Sequence, residues 1–145
     1  MAMTTTAQPT AHPTAQGALA PEALESTFAA CVAGGDLDGL VGLYAADAVV
    51  SLPRGREAAG STAIREAFGR ALAAGVLDGG ETGVSSRAVV SGDLAMTTST
   101  TGDGTVRTQV ARRTAEGRWV WVRDGSRLRE VEAALPAVPG ALAVA

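Results

Sequence analysis

The chain of 145 residues is long enough for one domain with a hydrophobic core. It is 46% hydrophobic and 19% charged, with a net charge of −3, and these values exclude a disordered chain or a strongly charged one. A net negative chain lacks the basic surface that sequence-independent nucleic-acid binding requires, and no apolar run reaches the roughly 18 residues of a membrane span.

Histidine and cysteine each occur once, which limits the available chemistry. His12 lies in a segment of Thr, Ala, Pro and Gln, so we expect no histidine-based triad, no metal and no cofactor. Cys31 cannot form an internal disulfide. The first basic residue is Arg54, so the positive region of a signal peptide is missing. We therefore expect a cytoplasmic protein.

Two helices are predicted after an N-terminal arm. Residues 1–20 are of low complexity and predict a flexible arm. Pro21 begins the first helix, whose apolar residues recur at helical spacing, and the pair Gly34-Gly35 ends it. Asp36 is expected to cap a short second helix that carries Tyr44 on its inner stripe.

A strand, a loop and a third helix follow. Residues 48–52 predict a short strand, and residues 54–60 predict a polar loop. Ser61 is expected to cap the third helix. The buried stripe of that helix includes Phe68, and Gly75 ends it.

From about residue 82 the hydrophobic period becomes that of strands. Glycine-rich turns typical of hairpins separate four β runs, over residues 82–91, 94–101, 106–114 and 118–124. Helices followed by an antiparallel meander predict an α+β domain, with three helices packed on one face of a curved sheet. The Ala- and Pro-rich residues 129–145 predict a tail, so the domain itself spans residues 21–128.

Three motifs resemble those of the nuclear transport factor 2-like superfamily. The sequence AGGDLDGL followed by LYAADAV, within residues 33–49, is similar to the opening pattern of the family. Residues 60–68 resemble its next helix, and Gly117-Arg118-Trp119 with Arg123-Asp124 resembles its last strand. The resemblance covers residues 21–127 and implies a cone-shaped fold with a cavity between helices and sheet. It implies no single activity, because the superfamily contains several kinds of enzyme as well as non-enzymes.

Residues 35–72 are most similar to bacterial ketosteroid isomerase. The resemblance places the catalytic tyrosine of that enzyme at Phe28, its aspartate base at Leu52 and its protonated aspartate at Gln109. Phe28 and Leu52 have no group that can donate or accept a proton, and Gln109 keeps only a hydrogen-bonding group. Ketosteroid isomerisation by the usual residue set is therefore excluded.

A second resemblance is to the polyketide-cyclase-like (SnoaL-like) group, in which the acid/base aspartate lies on the last strand. Asp124 matches that position. Strand alternation predicts Val120, Val122 and Asp124 on one face and Trp119 and Trp121 on the other. The resemblance implies that the first face lines the pocket and the second faces a partner subunit. Small proteins of this kind are found in enediyne and aromatic polyketide clusters of actinobacteria, and the arginine-only set of basic residues fits such a GC-rich source.

The candidate site predicted from both resemblances and from the residues themselves has two catalytic residues. Asp124 would be the general acid or base, and Gln109 would hold a substrate oxygen. The substrate-binding wall would consist of Phe28, Tyr44, Leu52, Val122 and Arg113.

Each candidate also has a purely structural alternative. Asp124 would cap the turn that follows it or pair with Arg127, and Gln109 would be a buried amide bonded to backbone. Tyr44 would be a core residue, and Arg113 a solvated charge at the sheet edge.

Three hypotheses about function remain open. The first is a cofactor-independent enzyme that transfers a proton next to a carbonyl of a hydrophobic polyketide-type, or enediyne, intermediate of antibiotic biosynthesis, with cyclisation, isomerisation or dehydration as the result. The second is a non-catalytic carrier of such a metabolite, and the third is a structural subunit. The expected partners are a hydrophobic small molecule and a second copy of the chain, with no nucleic acid and no membrane. The homodimer would form through the convex sheet face, with Trp119, Trp121 or Arg112 near the contact.

Overall fold

Four α-helices and a six-stranded sheet make up the part of the chain that the computed structural model describes, residues 16–77 and 85–131. Most of the predicted arm and most of the predicted tail lie outside the described residues. Along the chain the elements are α1 (Ala23–Ala33), α2 (Leu37–Val41), β1 (Tyr44–Ser51), β2 (Glu57–Ala59), α3 (Ser61–Ala73), β3 (Ser85–Ser91), β4 (Leu94–Thr100), β5 (Val106–Arg113), β6 (Trp119–Asp124) and α4 (Arg127–Val131).

The strands lie in the order β2-β1-β6-β5-β4-β3. Every neighbouring pair is antiparallel except β1 and β6, which run parallel. The helices cover one face of this sheet, where aromatic rings from α1 and α3 contact rings from β1 and β6. The predicted α+β class and mainly antiparallel sheet are thereby confirmed. The described residues contain four α-helices rather than three, because a short helix follows β6.

Several helix boundaries agree with the sequence, and two differ. Helix α1 begins two residues after its predicted start. Asp36 caps α2 as predicted, since its Oδ1 accepts a hydrogen bond of 2.9 Å from the backbone N–H of Gly39. Gly34 follows α1 directly, as expected from the glycine pair. The predicted Ser61 cap is wrong, because Ser61 is already helical and Gly60 occupies the capping position at φ +85°. That backbone conformation favours glycine over serine.

The first strand begins four residues earlier than the prediction of 48–52. Tyr44 was expected on a helix, but it opens β1 and pairs with Trp121 of β6. The predicted polar loop 54–60 contains a 3-10 turn, Pro53–Gly55, and strand β2, which pairs with β1. Both differences arise because these residues pair with neighbouring strands, and a short polar sequence does not reveal such pairing.

The last part of the predicted arm is hydrogen-bonded to the domain. The backbone N–H of Gly17 donates to the oxygen of Gly42 at 2.9 Å, and Ala18 exchanges two backbone hydrogen bonds of 2.9 and 2.8 Å with Trp119. Gly17 has φ +82°, and a Cβ there would lie 2.3 Å from the backbone oxygen of Trp119, so this approach requires glycine. Trp119 is only 6% exposed as a result, which corrects the expectation that it faces a partner subunit.

Candidate functional site

A β-bulge in β6 decides which of its side chains face the helices. On β5, Gln109 pairs with Asp124 and Val110 with Arg123, but Ala111 pairs with Trp121. Val122 therefore has no partner on β5, and the side-chain alternation shifts by one residue. Trp121 and Asp124 both turn towards the helices. The prediction that Trp121 faces a partner is wrong, because its side chain is fully buried.

The bulge aligns one apolar and one polar row of side chains across the sheet. The apolar row is Ala95, Ala111 and Trp121, and the adjacent polar row is Thr97, Gln109 and Asp124. Trp121 Nε1 donates to Thr97 Oγ1 at 2.9 Å, and the Thr97 hydroxyl in turn donates to Gln109 Oε1 at 3.3 Å.

Gln109 is only 2% exposed, yet its Nε2 has no hydrogen-bond partner among the described residues. A buried amide donor without an acceptor costs roughly 1–3 kcal/mol. This position is therefore suited to an acceptor supplied from outside the protein.

Asp124 is held by four donors, one of which is the Ser126 hydroxyl, 3.5 Å from Oδ1. It is 1% exposed, and its Oδ2 accepts a hydrogen bond of 2.7 Å from the Tyr44 hydroxyl. Its Oδ1 accepts from the backbone N–H groups of Ser126 and Arg127 at 3.1 and 3.0 Å. Asp124 therefore caps the turn that follows it, as the structural alternative predicted. The same residue is the candidate acid/base group.

Tyr44 keeps its proton throughout the physiological pH range. Burial, together with the neighbouring Asp124 carboxylate, raises the pKa of this phenol well above its ordinary value. The hydroxyl is therefore available as a donor to Asp124, and the ring packs between Phe68 and Trp121. Tyr44 holds Asp124 in place and is not itself positioned as a base.

A buried ion pair lies beside this network and was not predicted from the sequence. Glu25 of α1 and Arg127 of α4 form a salt bridge with side chains only 8% and 2% exposed. The guanidinium carbon lies 3.9 Å from the ring centroid of Phe28, and Arg127 Nε and Nη1 have no hydrogen-bond partner in the described part of the chain. Glu25 lies next to Leu24 and one turn before Phe28, on the apolar stripe of α1. From this placement, the burial of Glu25 could have been predicted.

The remaining wall residues divide into two groups. Leu52 and Val122 are buried, at 8% and 7% exposure, Leu52 just after β1 and Val122 in the bulge. Arg113 lies elsewhere, half exposed and paired with Asp93 at 2.7 Å on the β3–β4 hairpin. The single cysteine is not activated, because burial and, to a smaller extent, the nearby Asp36 raise the pKa of the Cys31 thiol.

A pocket of about 170 Å³ lies directly after Asp124 in the chain. Three arginines contribute to its wall, which consists of Thr105, Val106, Arg107, Gly125, Ser126, Arg127 and Arg129. Within residues 16–77 and 85–131 there is no cluster of three or more side chains suited to a metal ion. In the same ranges, no helix is long and apolar enough to cross a membrane.

The family follows from a comparison of the sequence with family models. The model of the SnoaL-like domain matches residues 25–131, which include all but the first two residues of α1, the whole sheet and α4. The chain belongs to the SnoaL-like family. This assignment confirms the nuclear transport factor 2-like superfamily that the sequence motifs indicated, and helices on an open, mainly antiparallel sheet agree with it.

Solved structures similar to this SnoaL-like protein share its fold at low identity. A protein of unknown function from Mycobacterium tuberculosis is 20% identical, with a TM-score of 0.54 over 70% of this chain and 64% of that chain. A candidate dehydratase of the nuclear transport factor 2-like family from Streptomyces avermitilis is 18% identical, with a TM-score of 0.52 over 70% and 89%. A ketosteroid isomerase-like protein from Erwinia carotovora atroseptica is 21% identical, with a TM-score of 0.52 over 70% and 88%. No curated protein matches this chain.

Proposed function

We propose that this SnoaL-like protein binds a small hydrophobic metabolite through its carbonyl group and transfers a proton at the neighbouring carbon. One observation carries the proposal. Gln109 presents a buried Nε2 with no acceptor, and the strand position of Gln109 pairs directly with that of the buried carboxylate Asp124. A donor and a proton acceptor side by side are what enolate chemistry requires.

In the proposed reaction the substrate carbonyl oxygen accepts a hydrogen bond from Gln109 Nε2. Asp124 removes a proton from the carbon next to the carbonyl, and the electron pair of that C–H bond forms the enolate. Asp124 then returns the proton to another carbon in an isomerisation, or to a hydroxyl leaving group in a dehydration. In a cyclisation, the enolate carbon attacks a second carbonyl, whose oxygen takes the proton. Among residues 16–77 and 85–131, Asp124 Oδ2 accepts only the Tyr44 hydrogen bond, so it retains a lone pair for this work.

The proposed substrate class is a polyketide-type intermediate, including the enediyne type, in antibiotic biosynthesis. Support comes from the SnoaL-like family and from the exclusive use of arginine among basic residues. The aromatic rings of Phe28, Tyr44 and Trp121 near Asp124 suit a hydrophobic ring system.

A non-catalytic carrier is the second candidate function. Both oxygens of Asp124 are already hydrogen-bonded within the protein. The residues that line the pocket of about 170 Å³ include neither Asp124 nor Gln109. A carrier would bind the same metabolite and release it unchanged.

Proton exchange into a simple ketone distinguishes the two functions. The protein is incubated with 1-tetralone in D₂O, and loss of the proton signal next to the carbonyl is followed by NMR. The enzyme proposal predicts exchange faster than in buffer, and Gln109→Leu is expected to slow it about tenfold because one neutral hydrogen bond to the oxygen is lost. Thr108→Val, an exposed change at the next position of β5, should leave the rate unchanged. Binding without accelerated exchange would favour the carrier.

We also propose a homodimer through the outer face of the sheet. Val89 of β3 and Leu94 and Met96 of β4 expose 74%, 51% and 52% of their surface, and Val89 pairs with Met96 across the strands. An apolar patch of this kind marks an interaction surface. Arg112, which the sequence analysis placed near this contact, forms an exposed salt bridge with Asp47 at 2.9 Å.

Light scattering during gel filtration tests the dimer. Met96→Glu is expected to convert the dimer to a monomer, since it places a charge in an apolar contact. Leu19→Glu, at an even more exposed apolar residue outside the sheet, should leave the dimer intact. A wild-type protein that elutes as a monomer at all concentrations would contradict the proposal.

A further inference from the structure

The wall of the pocket of about 170 Å³ holds three arginines and no carboxylate. Arg107 comes from β5, while Arg127 and Arg129 come from α4. Two acidic groups lie near this wall. Glu25 is paired with Arg127 Nη2. Asp103 accepts hydrogen bonds from Thr101 and Thr105, which, with a smaller contribution from the charge of Arg107, lower its pKa to about 2.

Of the three arginines in this wall, Arg127 is the buried one. Its side chain is 2% exposed, and only Nη2 is used in the ion pair with Glu25. The N–H groups of Nε and Nη1 are buried and have no acceptor among the described residues. Donors of a charged group that are left unsatisfied in a protein interior are especially costly, and an anionic acceptor is the group that compensates them best.

We propose that this pocket binds the anionic group of a small ligand, a carboxylate or a phosphate, through Arg127 with Arg107 and Arg129 at its sides. The hydroxyl-bearing Thr105 and Ser126 in the same wall supply further donors to an oxyanion. The remainder of the ligand then lies next to Gly125 and Ser126, beside the strand end that carries Asp124.

This inference deepens the proposed function, because it names the ligand of that site as an organic anion. Its test is nevertheless separate, since 1-tetralone is neutral and its proton exchange does not require the arginine pocket. If the anion does not bind, the proposed role of Asp124 in proton exchange is not affected. If 1-tetralone shows no exchange, the proposed anion pocket is not affected.

Titrations followed by ¹H–¹⁵N NMR compare benzoate with benzamide, its neutral counterpart, and with inorganic phosphate. We expect benzoate to bind at least tenfold more tightly than benzamide, with shifts at residues 105–107 and 125–129. Arg129→Gln, an exposed change that does not disturb the core, should weaken benzoate about tenfold and leave benzamide unchanged. The double variant Glu25→Gln with Arg127→Gln, which leaves no buried charge unpaired, should abolish the preference.

Arg65→Gln is the matched control for net charge. Arg65 is exposed and paired with Asp38 at 2.7 Å, in contact with α2 and away from the pocket wall, so its loss should not change benzoate binding. If phosphate binds more tightly than benzoate and the same variants weaken it, the anionic group is a phosphate. Equal binding of benzoate and benzamide, or equal effects of Arg129→Gln and Arg65→Gln, would overturn the proposal.

Discussion

Glu25→Gln is expected to lower the free energy of unfolding by about 3–5 kcal/mol, because it leaves the Arg127 guanidinium charged and buried without a counter-charge. Both side chains of this pair are almost completely buried, at 8% and 2% exposure. Equilibrium denaturation of the wild type and the variant in urea measures the difference.

An exposed ion pair provides the control for this result. Asp47 and Arg112 form a salt bridge with side chains 66% and 44% exposed, so Asp47→Asn should have a far smaller effect. Replacing both Glu25 and Arg127 with methionine should recover most of the loss, since two apolar side chains leave no unpaired charge. Equal stabilities of Glu25→Gln and Asp47→Asn would contradict the buried pair.

Asp124→Asn is expected to reduce the exchange rate of 1-tetralone by roughly 10²–10⁴, which is the usual contribution of a positioned acid/base group. The fold should be preserved. The side-chain oxygen of asparagine can still accept from the backbone N–H groups of Ser126 and Arg127, and its amide can donate to the oxygen of Tyr44. The NMR exchange assay provides the rate, and the thermal midpoint checks the fold.

A binding measurement distinguishes a variant that has lost the catalytic base from one that has lost the binding site. Binding of 1-tetralone to the Asp124→Asn variant should match the wild type, while Asp47→Asn should keep both binding and rate because Asp47 is exposed on β1. Exchange in the Asp124→Asn variant at the wild-type rate would show that this carboxylate is not the base.

The overall fold could be predicted from the sequence because local signals and family motifs agree. The glycine turns and alternating residues of 85–124 predicted the strand meander, and Asp36 predicted the cap of α2. Strand β2 and helix α4 were missed. Each is three to five residues long and is stabilised by its neighbours in the fold rather than by its own composition: β2 by pairing with β1, and α4 by contacts with β1, far away in the sequence.

The site could be predicted only in part, since one residue changes its geometry. Strict alternation along β6 predicts Asp124 on the face opposite to Trp121, but the bulge at Val122 places both towards the helices. No feature of the local sequence marks this bulge. Its effect is to place Trp121 Nε1 on Thr97 and thereby to fix Thr97 against Gln109.

The buried pair of Glu25 and Arg127 was missed for a different reason. An acidic residue in the first turn of a helix is ordinarily explained by the helix dipole, and that explanation suffices for Glu25 when only the sequence is known. Its partner lies 102 residues later in the chain, on a helix that was itself not predicted. Such pairs become visible only when the tertiary contacts are known.

A crystal structure of the wild-type protein with 1-tetralone tests the central claim most directly. We predict that the carbonyl oxygen lies about 2.7–3.2 Å from Gln109 Nε2, with the neighbouring carbon facing the Asp124 carboxylate. Gln109 Nε2 has no acceptor of its own, so the ketone would complete its hydrogen bonding. A ketone bound away from Asp124, with Gln109 Nε2 bonded to a protein group or an ordered water, would contradict the account.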